Sequence, residues 1–241
     1  IAFLDSDDEW LPQKLEKQIR LLESSNAMGI TCNANIVFHF NNKIFYLGYL
    51  KPRYIIKDKL ENCLLGNFPC IPSSLLIRKK VFDILGNYDE YLKLSTDSDM
   101  IIRFFKQGFY LEVVNEVLYN YYIHQQNLTG VTAEAKLNSI KQRINETLYL
   151  LEKHKDIFDK YNKPKSLMLR YLSTYYKIIG DDEKAAICLA NSIKTYPHFR
   201  NFFNFILLLF PNFIFRKLYF YKINLPIYKI ILKERLLSII K

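Results

Sequence analysis

The chain has 241 residues, 50% of them hydrophobic, with a formal net charge of +10 and a pI near 9.2. That apolar content excludes a disordered polymer and is enough for one large domain, or one domain plus an appendage. The basic balance suits nucleotide phosphates or anionic lipid, but the lysines are scattered, and the absence of a compact arginine-rich stretch or a nucleic-acid motif argues against nucleic acid.

In chain order, Ile1 to Asp5 reads as a buried strand that ends on carboxylates, Asp5, Asp7 and Asp8, as if at the carboxyl edge of a parallel sheet. The chain begins on Ile inside this run, which suggests an N-terminally truncated piece; a lost leader would hide any signal peptide. Leu11 to Ser25 reads as a helix with Pro12 in its first turn and Leu15, Ile19 and Leu22 on its apolar face. Gly29 to Phe40 and Lys43 to Leu50 read as strands about an Asn41-Asn42 turn, and residues 57–65 as helix. Ser73 to Ile77 reads as a strand, and 78–85 as a short helix closed by Gly86. Ser95 or Thr96 can cap a helix carrying Asp97, Asp99 and Arg103, where Asp99 and Arg103 stand four apart and can pair. Gly108 ends it, and Phe109 to Val114 and Val117 to Ile123 read as two further strands.

Past residue 132 glycine nearly vanishes and helical patterns cover 133–153, 165–179 and 183–195. Residues 175–197 resemble one tetratricopeptide unit, which fits a hairpin packed on its own protein or a partner-binding groove. Phe202 to Phe210 is too short to span a bilayer before Pro211. Aromatic residues beside Arg216, Lys217 and Lys222 suit a helix lying on an anionic membrane, or one packed on the protein's own surface. Four cysteines, Cys32, Cys63, Cys70 and Cys188, lack metal-ligand spacing and read as reduced thiols of a cytosolic protein.

Clustered carboxylates such as Asp5, Asp7 and Asp8 are tolerated when exposed or when a hard cation sits among them. Two readings stand: a metal-binding turn, or an exposed acidic turn whose last Asp caps the helix. An apolar strand followed by Asp-x-Asp also opens the haloacid-dehalogenase class of phosphohydrolases, with Asp5 as nucleophile and Asp7 as general acid. That class needs a later acidic pair after a strand, and Asp181-Asp182 falls between helical segments instead.

Phe3-Leu4-Asp5-Ser6-Asp7-Asp8-Glu9-Trp10 resembles the DXD segment of family 2 glycosyltransferases with the GT-A fold. Three later stretches follow in the family's order: Pro72-Ser73-Ser74 with the run to Arg78; Gly86-Asn87-Tyr88-Asp89-Glu90; and Asp97-Ser98-Asp99 with the run to Arg103. Tyr122-Ile123-His124 to Thr129 resembles the family's late tyrosine–histidine segment, so the likeness covers roughly 1–130.

The resemblance implies an α/β fold: a mixed GT-A (nucleotide-diphospho-sugar transferase) sheet flanked by helices, its first strands missing, with a C-terminal all-helical extension. The GT-A part is expected over 1–131 and the extension over 132–241, with the hairpin at 165–197 and an apolar, basic tail at 199–241. The implied activity is inverting, metal-assisted transfer of a sugar from a nucleotide-diphosphate donor to a glycan or lipid-linked acceptor. It would serve polysaccharide or cell-envelope glycan synthesis in the cytoplasm or peripherally at the inner face of the plasma membrane.

By position, Asp5 falls near the donor's nucleoside, Asp7 on the divalent cation (Mg²⁺ or Mn²⁺), and Asp8 beside them. Asp97 falls on the general base; its place in a helix's first turn is expected to lower its pKa. Thr96 departs from the family's usual Glu, which touches the acceptor-side contacts. Trp10, Ser73, Ser74 and Asp89 fall toward the acceptor, Trp10 being equally suited to packing on the following helix. His124 falls on the diphosphate or the metal, or is structural. A different class of answer is a catalytically inactive relic whose helical part binds a membrane or a partner.

Overall fold

The computed structural model describes residues 1–40, 43–50, 59–65, 71–123 and 139–219. The chain divides into two compact units, Ile1–His124 and Gln125–Lys241.

The first unit is built on β2 (Gly29–Phe40), the strand to which most others pair. The elements around it are β1 (Glu9–Trp10), α1 (Lys14–Glu23), β3 (Lys43–Leu50), α2 (Lys59–Leu64), β4 (Leu76–Ile77), α3 (Lys80–Leu85), α4 (Thr96–Lys106) and β5 (Leu111–Ile123). The sheet order is β1-β5-β2-β3, with β4 also on β2. Among the described strands only β2 and β5 run parallel, from Gly29 opposite Leu111 to Phe38 opposite Ile123. The other pairs are antiparallel, so the sheet is mixed, and the parallel carboxyl edge expected at Asp5 does not form.

Gly29 sits where three strands converge. A Cβ there would lie 2.6 Å from a Leu111 methyl and 3.2 Å from the Leu76 carbonyl oxygen, so any larger residue would have to push the Leu111 side chain and β4 aside. Successive residues of β4 point to opposite faces. Leu76 joins Ile30 and Ala27 under Leu22 of α1, while Ile77 joins Leu111, Val81 of α3 and Phe104 of α4. Helices therefore cover both faces. Arg78 ties α1 down, donating from Nε to the Ala27 carbonyl (2.9 Å) and from Nη2 to those of Ser25 (3.2 Å) and Leu22.

Several expectations change. Ile1 to Asp5 is not a full strand: Ala2 forms a single bridge with Leu76, while Ile1 and Ile77 exchange hydrogen bonds of 2.7 and 2.8 Å. Ile1 and Leu4 are about half exposed, so the run is not buried on both faces. The α1 face is also turned. Leu15 and Ile19 face solvent, and the buried stripe is Lys14, Gln18 and Leu22. Polar groups win there because they have partners: Lys14 Nζ donates to Gln18 (2.7 Å), and Gln18 Nε2 donates to the Ser74 carbonyl (2.8 Å). The segment read as a strand over 73–77 begins instead as a 3₁₀ turn, Pro72–Ser74, before β4. The two strands expected over 109–123 are one, β5, whose register with β2 shifts near Asn33.

The second unit contains α5 (Ile140–Lys153), α6 (Lys155–Lys160), α7 (Asn162–Ile179), α8 (Asp182–Thr195) and α9 (Phe199–Leu208); residues 212–219 are also helical. α7 and α8 form a close hairpin. Gly180 closes α7 at φ 93°, a left-handed position that favours glycine, and Asp181 caps α8 by accepting from the Lys184 N–H at 3.0 Å. Small residues let the helices approach: Ser166 and Ser192 exchange hydroxyl-to-carbonyl bonds of 2.9 and 2.8 Å. Ile140, Ile144, Leu172, Ile178 and Phe215 form the core of this unit. Among the described residues no helix is long and apolar enough to cross a membrane.

Candidate active site

The acidic segment is a tight turn, closed by the Asp8 N–H donating to the Asp5 carbonyl at 3.0 Å. Ser73, fully buried in the 3₁₀ turn, holds it from below. Its hydroxyl accepts from the Asp5 N–H at 3.0 Å, and its carbonyl accepts from the Trp10 indole at 3.1 Å. The Pro72–Ser74 stretch thereby positions both ends of the acidic segment.

Asp8 is anchored from the sheet, where Oδ1 accepts from the Tyr122 N–H at 3.0 Å. Its Oδ2 is buried with no hydrogen-bond partner. Burial, aided by the charges of Asp7 and Asp5, outweighs hydrogen bonds from Ser73 and Tyr122 and pushes the Asp8 pKa up to about 6. Burial also raises the Asp5 pKa, with Asp7 adding to the effect. An orphaned carboxylate oxygen beside two more carboxylates suits a cation or a sugar hydroxyl.

Asp97 lies in the first turn of α4, its Oδ1 accepting from the Ser98 N–H at 2.7 Å. Its pKa is raised, not lowered as its place at the helix start suggests. Desolvation exceeds the local hydrogen bonds, and Asp5 contributes repulsion, which places the two carboxylates in one neighbourhood. Tyr88 records the same proximity: burial first, then the charges of Asp97 and Asp5, hold its phenol up at about 12. Its ring packs edge-on against Phe3, with centroids 5.8 Å apart.

Asp99 has another job. It is fully buried and accepts from Arg103 Nε at 2.8 Å, while Arg103 also donates to the carbonyls of Leu85 (2.7 Å) and Asn87 (2.9 Å). The pair expected from the i,i+4 spacing thus fastens α4 to the loop that carries Tyr88. Asp89 shapes the same loop, its Oδ1 accepting from the Tyr91 N–H at 2.9 Å.

Ser74 lies in the core, its hydroxyl donating to the Ile71 carbonyl (2.7 Å) and accepting from Thr31 (2.9 Å). Trp10 carries the Lys14 ammonium 4.3 Å from its ring centre. Burial lowers the Lys14 pKa to about 8. His124 lies outside the described residues.

The structure therefore gathers Asp5, Asp7, Asp8, Trp10 and Ser73 around one turn, with Asp97 within the electrostatic reach of Asp5. Among the described residues no group of three or more His, Cys, Asp or Glu is arranged to hold a metal by itself. A magnesium-type site needs only one or two carboxylates, because substrate phosphates and water complete its octahedron, and the acidic turn fits that requirement.

Sequence reasoning missed Tyr88, although it stands within the quoted Gly86–Glu90 loop. It also missed Glu9, whose Oε2 accepts from Asn120 (2.8 Å) and the Tyr122 hydroxyl (3.0 Å). Nothing local in the sequence signals that bond; it follows from Glu9 facing Asn120 across β1 and β5.

A family model described as glycosyltransferase like family 2 matches residues 1–180. Over 110 residues the chain is 34% identical to WfgD of Escherichia coli, a UDP-Glc:alpha-D-GlcNAc-diphosphoundecaprenol beta-1,3-glucosyltransferase, covering 45% of this chain and 42% of that protein. It is 26% identical over 162 residues to an uncharacterized glycosyltransferase of Methanocaldococcus jannaschii, covering 64% and 50%. It is 27% identical over 146 residues to AmsB, an amylovoran biosynthesis glycosyltransferase of Erwinia amylovora, covering 58% and 46%. The chain spans about half the length of the curated relatives it matches. With the family model matching residues 1–180, most of its length, the chain belongs to the glycosyltransferase family 2-like proteins.

Proposed function

We propose that this chain carries the catalytic carboxylates of an inverting glycosyltransferase that moves a sugar from a nucleotide-diphosphate donor to a glycan or lipid-linked hydroxyl. The observation that carries the reading is the placement of Asp97 in the electrostatic reach of Asp5. One group faces the donor while the other is rigidly held on a helix to serve the acceptor. The acceptor oxygen attacks the anomeric carbon, the bond to the nucleoside diphosphate breaks, and Asp97 takes the hydroxyl proton. One displacement inverts the centre. A raised pKa makes Asp97 a stronger base once it is ionised.

Asp5 and Asp7 hold the donor side, and Asp8 offers its unpartnered oxygen to a sugar hydroxyl or a metal-bound water. A divalent cation held by Asp7, with His124 as a further candidate, would supply Lewis-acid neutralisation of the leaving diphosphate. Trp10, braced by Ser73 and Lys14, walls the acceptor side. Ser74 supports this turn from the core, and Asp89 orders the loop that carries Tyr88.

The diphosphoundecaprenol-linked sugar named for WfgD and the amylovoran biosynthesis named for AmsB support a role in polysaccharide or cell-envelope glycan synthesis on a lipid-linked acceptor. The GT-A part is assigned to 1–131 and a helical extension to 132–241. Exposed Phe199, Leu209 and Phe213, each more than 70% accessible, support peripheral contact of that extension with a membrane at its cytoplasmic face. The test is transfer by the full-length protein from labelled nucleotide sugars, compared with Asp97→Asn. Equal turnover by the two proteins overturns the assignment of the base.

A further inference from the structure

The helical unit contains a pocket of about 960 Å³ that the transferase reading does not use. Three guanidinium groups line it: Arg143 from α5, Arg170 from α7 and Arg200 from α9. Among the described residues no Asp or Glu lines it. Leu207, Phe215 and Leu218 form an apolar wall on the same pocket.

The three arginines are not equivalent. Arg143 is engaged, its Nε donating to Ser139 Oγ at 2.9 Å and its charge bearing on Tyr175. Arg170 makes only a long bond to the neutral Asn201 side chain at 3.3 Å, and Arg200 stacks on Phe199 with 5.9 Å to the ring centre. Among the described residues neither has a carboxylate partner. Burial, reinforced by repulsion from Arg200, lowers the proton affinity of Arg170. A half-buried guanidinium held beside a second cation without a counter-charge costs free energy, and an anion entering the pocket relieves it.

We infer that this pocket binds a phosphate group carried on an apolar chain, with Arg170 and Arg200 gripping the phosphate and Leu207, Phe215 and Leu218 covering the chain. Guanidinium groups match phosphate oxygens in pairs, which favours phosphate over a carboxylate or a halide. The wall that turns from arginine to leucine and phenylalanine favours an amphiphile over a bare ion. Leu218 is 43% exposed, so the apolar wall reaches the surface and leaves a path for the chain to leave the pocket. This site is built from residues of the second unit alone and stands whether or not the transferase reading holds.

The experiment is calorimetric titration of the full-length protein with octyl phosphate, inorganic phosphate and octanol. Octyl phosphate binds at least about tenfold more tightly than either other probe, because both halves of the pocket are used. Arg170→Gln with Arg200→Gln weakens octyl phosphate by about tenfold or more. Arg170→Lys keeps the charge and recovers part of the affinity, and Arg200→Gln alone, on an exposed helix, guards against loss through unfolding. Octanol binding as tightly as octyl phosphate, or unchanged affinity in the double variant, overturns the phosphate grip. Inorganic phosphate matching octyl phosphate overturns the apolar part and leaves a site for free phosphate.

Discussion

Burial raises the proton affinity of Asp97, and the carboxylate of Asp5, far away in the sequence, adds to that rise. Tyr88 feels both charges. A base whose pKa is raised must lose its proton before it can act, so the acidic limb of kcat/KM lies above the ordinary aspartate value of 3.8. Neutralising the neighbour by Asp5→Asn removes the repulsion and moves that limb to lower pH. A limb that does not move in a variant retaining measurable turnover separates the two residues.

Asp97→Asn keeps the shape and the hydrogen bond from Ser98 but removes the base. Transfer falls by about 10²–10⁴-fold. Nucleotide affinity stays within about twofold, because the donor contacts lie on the acidic turn. Steady-state kinetics beside equilibrium titration checks both halves of this statement.

Asp8 carries a stability signature. Its folded pKa, about 6, lies above the unfolded 3.8, so the folded protein prefers the protonated form. The stability it lends is complete below 3.8 and is lost as pH rises through about 6. Asp8→Asn cannot ionise, and it keeps an oxygen for the Tyr122 N–H. At pH 7.5 the variant is the more stable; after allowance for screening at a partly exposed group, the gain is about 1 kcal/mol, or about 2–4 °C in Tm. Thermal melts at pH 7.5 and pH 4 check it, with the advantage shrinking at the lower pH.

The pair of Asp99 and Arg103 makes the opposite prediction. Asp99 has no exposed side-chain surface, so Arg103→Gln takes the counter-charge from a buried carboxylate and costs about 3–5 kcal/mol in urea unfolding. Adding Asp99→Asn recovers a large part of that loss, because the buried charge is then gone. Simple addition of the two penalties would show that the groups act independently.

The sequence made the chemistry easier to read than the geometry. Asp5, Asp7 and Asp97 are proposed from motif order, which is a linear property, and the i,i+4 spacing of Asp99 and Arg103 places them together on any helix. The buried face of α1 was misread because Lys14 and Gln18 look like surface residues until the carbonyl of Ser74 is known to lie beneath them. The 3₁₀ turn at Pro72–Ser74 was read as strand because its role, holding Asp5 and Trp10 from below, depends on contacts far away in the chain. The raised pKa of Asp97 escaped for a related reason. Helix position is visible in sequence, whereas desolvation and the approach of Asp5 are tertiary facts.

The central claim is that the acidic turn is a nucleotide-diphosphate site. The most direct measurement is calorimetric titration of the full-length protein with UDP, GDP and dTDP, each with and without Mn²⁺, repeated on Asp7→Ala. The account predicts that one nucleotide binds, that Mn²⁺ strengthens it, and that Asp7→Ala abolishes the metal-dependent part. No binding of any of the three, or binding that ignores both Mn²⁺ and Asp7, contradicts it.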